Sequence, residues 1–375
     1  MNKKYITNSG IIVIIIAAIV YLEAGKPRRA PGSAQDVVVN YATSTDTSAL
    51  LREAAQYGKA KEITDPTGFI NSPNGTTSAP FTLSQFAGNK VVLLDFWTYS
   101  CINCERTIPY LNAWYQKYKD YGLEIVGVHS PEFDFEKQYS NVAAAVKQYG
   151  IQYPIVLDSD MGTWHAYNNQ YWPAEYLINV DGFVVHQGIG EGNYAETEEA
   201  IQAALKQRDQ VLGLPDNVPT GLVNPADAVS VDASNVDSPE TYFGASRNEY
   251  LANGNQGVLG TQTFAVPNVT QIKPNGLYLS GVWNFEGEYA ENTDMASKIF
   301  YNYSSKNVYF VAAANTTIAP QGVKVRVIVD GILQKTVTIE ANMLYSIVEG
   351  AGYGEHKLEL DIEGPGLDAY TFTFG

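Results

Sequence analysis

Residues 91–109 read VVLLDFWTYSCINCERTIP. The stretch opens on six residues that are apolar except for Asp95, the composition of a strand covered on both faces. Further on, Ile108, Leu111, Trp114 and Tyr115 have the spacing of one helix face, which predicts a helix over 104–119. Cys101 and Cys104 stand three positions apart at the junction. That spacing lets both sulfurs meet across one turn. A cysteine at a helix N-terminus has its thiolate stabilised by unpaired backbone N–H groups and the helix dipole. Its neighbour one turn in is shielded and can resolve a mixed disulfide, so the pair suits thiol–disulfide exchange. Spacing alone leaves two other readings open: a structural disulfide, or half of a zinc site. Asp95 lies six residues before Cys101. Desolvation in such a strand raises a carboxyl pKa and fits it to accept the proton of Cys104. Pro109 falls inside the helix, where a kink is expected.

Working outward, 123–128 is a second buried strand, 135–149 a helix, 154–157 a short strand and 162–167 a helical turn. Segments 176–180 and 183–187 flank Asp181-Gly182, a strong hairpin signal, and 196–207 is a closing helix. Strands alternating with helices, then a hairpin, predict an α/β mixed sheet flanked by helices over 61–212. Residues 213–240 hold four prolines and read as a linker. Beyond it the period becomes two. Val323, Val325, Val327 and Val329 alternate with Lys324, Arg326 and Ile328, and Asp330-Gly331 turns the chain. Leu358, Leu360 and Ile362, then Tyr370, Phe372 and Phe374, repeat the alternation. With Gly-rich turns and almost no helix, 241–375 reads as an all-β antiparallel sandwich of jelly-roll type.

At the other end, Lys3 and Lys4 precede an apolar run of 12 residues at 11–22. That is shorter than the roughly 20 residues that span a bilayer comfortably. Residues 1–24 are expected to be a signal anchor or signal peptide. Residues 25–60, rich in Ala, Ser, Thr, Pro and Gly, read as a tether with one helix near 48–57. Either form of the signal places the body outside the cytoplasm.

Composition narrows the function. The 375 residues suffice for two packed domains. Net charge is −16, and 1–30 hold five basic residues against one acid, so the remainder carries −20. Such a body repels phosphate backbones, which excludes nucleic acid as a partner. Two cysteines exclude a multi-bridge disulfide framework and a four-cysteine zinc site. The histidines, His129, His165, His186 and His356, are scattered, so no metal centre is expected.

Asp95-Phe96-Trp97, the Cys101-x-x-Cys104 pair, Pro109 and a later proline, Pro173, before a hairpin strand resemble the thioredoxin superfamily. Phe81-Thr82-Leu83 and the extra strand–helix segment between residues 123 and 169 resemble its TlpA/ResA branch. The longer strings LLDFWTYSCINCERTIPYLNAWYQKYKDYGLEIVGVHSPEF and YWPAEYLINVDGFVVHQGIGEGNYAETE are similar to the C-terminal part of DipZ-family proteins. So are SPETYFG, GLYLSGVWNFEGEYAE, SKNVYFV and the final AYTFTFG, and the likeness runs over about residues 61–375.

The resemblance implies a thioredoxin-like fold followed by a carbohydrate-binding-like β module. By it Cys101 is the nucleophile, Cys104 the resolving thiol, Asp95 the buried proton acceptor and Pro173 a cis-proline. Trp97, Tyr99 and Trp172 would contact substrate, Trp172 through its backbone. Glu105 is a candidate for tuning the thiols, although an exposed first-turn acid is the plainer reading. Glu191 reads as a solvated loop acid, and His129 as a structural histidine. No cofactor is implied beyond a redox-active Cys101–Cys104 disulfide.

The implied activity is extracytoplasmic exchange with exported thiol or disulfide proteins, apocytochrome c among them, in the reducing direction. DipZ proteins often carry a multi-span electron-importing domain ahead of this unit. Here one short apolar segment stands, so a separate membrane electron donor is expected. The aromatics Tyr242, Tyr250, Tyr278, Trp283, Tyr289, Tyr301 and Tyr303, with Glu286 and Glu288, could bind a glycan or fill a core. The rival function is a cell-surface glycan-binding or adhesion protein whose two cysteines form an inert staple.

Overall fold

The computed structural model describes residues 47–73 and 78–375, so the 11–22 run and most of the expected tether lie outside the described residues. Helix α1 (Thr47–Gln56) and strand β1 (Gly68–Ile70) lead to β2 (Val91–Trp97), in which all seven residues are buried. Then come α2 (Ile102–Tyr118), β3 (Leu123–His129), α3 (Tyr139–Gln148), β4 (Ile155–Leu157), α4 (Gly162–Ala166), β5 (Ala174–Ile178), β6 (Val184–Ile189) and α5 (Tyr194–Leu212). The sheet order is β1-β4-β3-β2-β5-β6. β2, β3 and β4 are parallel, while β1, β5 and β6 join antiparallel, which gives the expected mixed sheet.

Continuous apolarity in β2 has the expected cause. Leu93 and Trp97 face α2 and α5, where Leu111, Trp114, Tyr118, Ile201 and Leu205 bury themselves. Val92, Leu94 and Phe96 face the other way, against Phe81, Trp164 and Tyr176. The single helix expected over 135–149 is instead a 3-10 turn, Asp134–Lys137, followed by α3. Glu136 causes the break: its Oε2 accepts the amides of Glu132 (2.6 Å) and Phe133 (3.0 Å) and closes the turn before Gln138 goes extended.

The β module comprises β7 (Thr241–Tyr242), β8 (Gly260–Phe264), β9 (Leu277–Phe285), β10 (Ala290–Asn292), β11 (Lys298–Ala314), β12 (Val323–Val329), β13 (Ile332–Ile339), β14 (Met343–Glu363) and β15 (Leu367–Phe374). All pairings between these strands are antiparallel. In β12 the four valines point inward and the alternate residues outward, as the period of two requires. Asp330 and Gly331 both take positive φ (52° and 78°), the type I′ geometry that favours Asp-Gly. The layers are continuous. β11 and β14 span 17 and 21 residues, and β11 pairs with β9 near its start and with β15 near its end. β9 and β15 are linked in turn through β10, so the strands close a barrel-like ring.

The first core continues into this module through Val311, Leu344 and Tyr370. Tyr370 meets the rings of Phe133 and Phe135 edge-on, at 5.1 and 4.8 Å. Tyr370→Ala is therefore expected to destabilise the protein by about 3 kcal/mol. Differential scanning calorimetry should show the loss, with the two folded parts unfolding less cooperatively than in the wild type.

Candidate active site

Cys101 is the N-cap residue of α2, with extended backbone (φ −92°, ψ 115°), and its carbonyl accepts the first helical bond from the Glu105 amide at 3.0 Å. Three residues separate it from β2. One of them, Ser100, is tied down by donating to Glu136 Oε1 at 2.6 Å. Cys101 is half-buried and Cys104 fully buried, and both are free thiols. Burial pushes the Cys104 thiol well up, and the neighbouring Cys101 and Asp95 add to the rise.

Asp95 is 1% exposed, and its Oδ1 has no hydrogen-bond partner. Burial holds its carboxyl well above the ordinary range, helped by the charge of Glu175 directly across the strand pair. The Trp172–Pro173 peptide is cis, and the Trp172 carbonyl lies 4.0 Å from Cys101 Sγ. Trp172 is itself anchored: Nε1 donates to the Ser130 carbonyl at 2.9 Å, and its ring packs on Trp164 at 4.3 Å.

Trp97 and Tyr99 lie beneath this surface, 1% and 4% exposed, and both pack on His129. Burial pushes the His129 imidazole down to about 3, so it is neutral and structural at ordinary pH. Glu105 is not a freely exposed first-turn acid. Tyr149 Oη lies 2.6 Å from its Oε1 and 3.1 Å from the Tyr99 carbonyl, with one proton for the two. Burial raises the Glu105 carboxyl to about 7. Glu191 is not merely solvated either, since Arg106 clamps it with Nε and Nη2 at 2.7 Å each. Arg106 Nη2 also reaches Asn103, inside the Cys-x-x-Cys turn, at 2.7 Å.

Cys101 opens on a cavity of about 340 Å³. One wall comes from the mixed-sheet part, with Asn103, Tyr171 and Trp172; the other belongs to the β module, with Glu240, Tyr242 and Arg247. Tyr242 Oη lies 2.8 Å from a carboxyl oxygen of Glu132 and from one of Glu240, Arg247 donates to Glu132 at 2.8 Å, and its guanidinium lies 3.7 Å over the Tyr242 ring. Sequence inspection missed this wall, Arg106 and Glu175. Glu175 did carry a signal, the one that marked Asp95: a lone acid in an apolar strand. Among the described residues, no group of three or more His, Cys, Asp or Glu is placed to hold a metal ion.

Two family models match the chain: the AhpC/TSA family over 55–187 and the thioredoxin like C-terminal domain over 238–375. Protein DipZ of Mycobacterium bovis is 36% identical over 325 residues, which are 85% of this chain and 43% of the relative. The chain thus spans less than half the length of that relative. Thiol-disulfide oxidoreductase ResA of Bacillus thuringiensis is 32% identical over 142 residues, covering 36% of this chain and 77% of the relative. The crystal structure of a putative thiol:disulfide interchange protein DsbE from Chlorobium tepidum is 26% identical, with a TM-score of 0.34, and covers 40% of this chain and 96% of that one.

The Glu105 carboxyl makes stability depend on pH. The folded chain keeps a proton there that the unfolded chain releases between about 4.5 and about 7, so this group's contribution falls as pH rises through that window. Glu105→Gln, which keeps an acceptor for Tyr149, should remove that component. Urea unfolding near pH 4.5 and near pH 8 checks it: the variant should gain on the wild type at the higher pH.

Proposed function

Because the chain belongs to the thioredoxin-like thiol–disulfide oxidoreductases, we propose that it exchanges disulfides through Cys101 and Cys104. The observation that carries this is the placing of the two sulfurs. Cys101 sits at a helix N-terminus and faces an open cavity, while Cys104 is buried one turn in, within reach of the Asp95 charge. Acting as reductant, the Cys101 thiolate attacks a substrate disulfide, one substrate sulfur leaves as thiolate, and a mixed disulfide forms. Cys104 gives its proton to Asp95 and attacks Cys101 Sγ. The second substrate sulfur leaves, two electrons have passed to the substrate, and the chain holds a Cys101–Cys104 disulfide.

In this scheme the Trp172 carbonyl beside cis-Pro173 aligns an extended substrate backbone, while Trp97 and Tyr99 support the site from below. Lys3, Lys4 and the apolar run behind them support a location outside the cytoplasm, held at the membrane by that segment. Likeness to ResA favours the reducing direction. Exported proteins, apocytochromes among them, are then the substrates, and a membrane protein is the electron donor. The β module serves as the second wall of the substrate cavity. Its aromatics are largely spent on packing: Trp283, Tyr301 and Tyr303 are in the core, and Tyr242 lies under Arg247. An inert staple accounts neither for the cavity at Cys101 nor for a buried carboxyl beside Cys104.

Cys104→Ser should accumulate mixed disulfides through Cys101 when incubated with oxidised insulin, read on non-reducing gels; an absence of adducts sinks the proposal. In the reduced wild type, iodoacetamide should label Cys101 ahead of Cys104. Asp95→Asn should slow insulin reduction about 10²-fold, and an unchanged rate removes Asp95 from the mechanism.

A further inference from the structure

Asp95 has a problem that the scheme above leaves unsolved. Each turnover delivers a proton to a carboxyl that is 1% exposed, with one oxygen unpartnered. The proton must leave before Asp95 can act again, and Asp95 itself has almost no contact with solvent.

The sheet supplies a neighbour. In register, Gly127, Asp95, Glu175 and Gly188 form one row across β3, β2, β5 and β6. Two acids lie side by side, flanked by two glycines. Gly188 makes room for Glu175, since a Cβ there would lie 2.9 Å from Glu175 Oε2, while Gly127 makes room for Ile155 and Trp97, to whose Cδ1 and Nε1 a Cβ would come within 2.5 and 3.0 Å. Glu175 is 5% exposed and bonds the Thr197 hydroxyl from α5. Thr197 Oγ1 lies 3.1 Å from Nε2 of His186, which is half-buried on β6. A hydroxyl between a carboxyl and an imidazole can accept from one and donate to the other, in either direction.

We propose, resting on the function proposed above, that Glu175 is a positioning residue that discharges Asp95: it takes the proton from the Asp95 carboxyl and passes it through the Thr197 hydroxyl to His186 and so to solvent. The balance closes. Cys104-SH and Asp95 carboxylate become thiolate and carboxylic acid. Asp95 acid and Glu175 carboxylate then exchange the proton, Thr197 takes it while giving its own to His186, and the imidazolium releases it to water. In the reverse reaction the same chain delivers a proton inward.

The electrostatics agree. Burial raises Glu175 to about 7, where it can both take and release a proton at ordinary pH, and it raises Asp95 further. Burial lowers His186, and Glu196 opposes that. The other titratable groups facing the pair are Tyr153 and Tyr194, both pushed up mainly by burial and so neutral, and Cys104.

The test is insulin reduction by the full chain, with dithiothreitol as electron source, over roughly pH 5 to 9. Glu175→Gln should slow the rate near neutrality about 10-fold. It should also move the Asp95 inflexion to lower pH, because the neighbouring negative charge is gone. Asp95→Asn combined with Glu175→Gln should be no slower than Asp95→Asn alone, since both act on one proton. Thr197→Val, nearly the same shape, should slow the rate while leaving the inflexion in place; it also serves if Glu175→Gln does not fold. An unmoved inflexion in Glu175→Gln, a loss that adds in full to Asp95→Asn, or a Thr197→Val rate equal to wild type overturns the relay. A wild type that reduces no insulin defeats the underlying function instead, and that is seen before any variant is made.

Discussion

Strand β2 has no side that meets water, and the site is built on that fact. Seven buried residues in a row place one ionisable group, Asp95, where water cannot stabilise its charge. Burying a carboxylate without a partner is costly, so burial raises the affinity of Asp95 for a proton. The same burial on both faces gives the strand a fixed direction, and the chain leaves it after only three residues to start α2 at Cys101. Position and proton affinity are thus set together: the sheet that raises the proton affinity of Asp95 also aims the helix N-terminus at the cavity.

Around this centre the acids are handled in two ways. Glu191 meets a guanidinium in a two-point clamp, and Glu132 meets both Arg247 and Tyr242. Glu105, Glu136 and Glu175 instead accept hydroxyl or amide donors and have raised carboxyls of about 7. The first pattern joins segments: Arg106 ties α2 to the turn after β6, and Glu132 ties the thioredoxin-like part to the β module. The second keeps exchangeable protons near the sulfurs. The two patterns differ because an ion pair rigidifies but holds its charge, whereas a carboxyl bonded to neutral donors can titrate.

The β module meets the sheet domain through aromatic rings and the Glu132 network, and its Tyr242 and Arg247 reach the cavity at Cys101.

Much of this was legible in the residues themselves. Apolar runs, helical spacing, an Asp-Gly turn and a valine alternation act locally, so they carry the mixed sheet, the all-β module, the dithiol and the lone acid of β2 without tertiary help. Glu175 was equally local and was passed over only because the strand was begun one residue too late. The partners of Arg106 and Glu132 were not legible, because they lie 85 to 115 residues away and only folding selects them. Local pattern determined that Cys101 and Cys104 straddle a strand–helix junction above a desolvated acid. Tertiary structure alone decided that a second acid stands beside the first, that Gly188 makes room for it, and that a distant module faces Cys101, since those are neighbours across strands and between folded units.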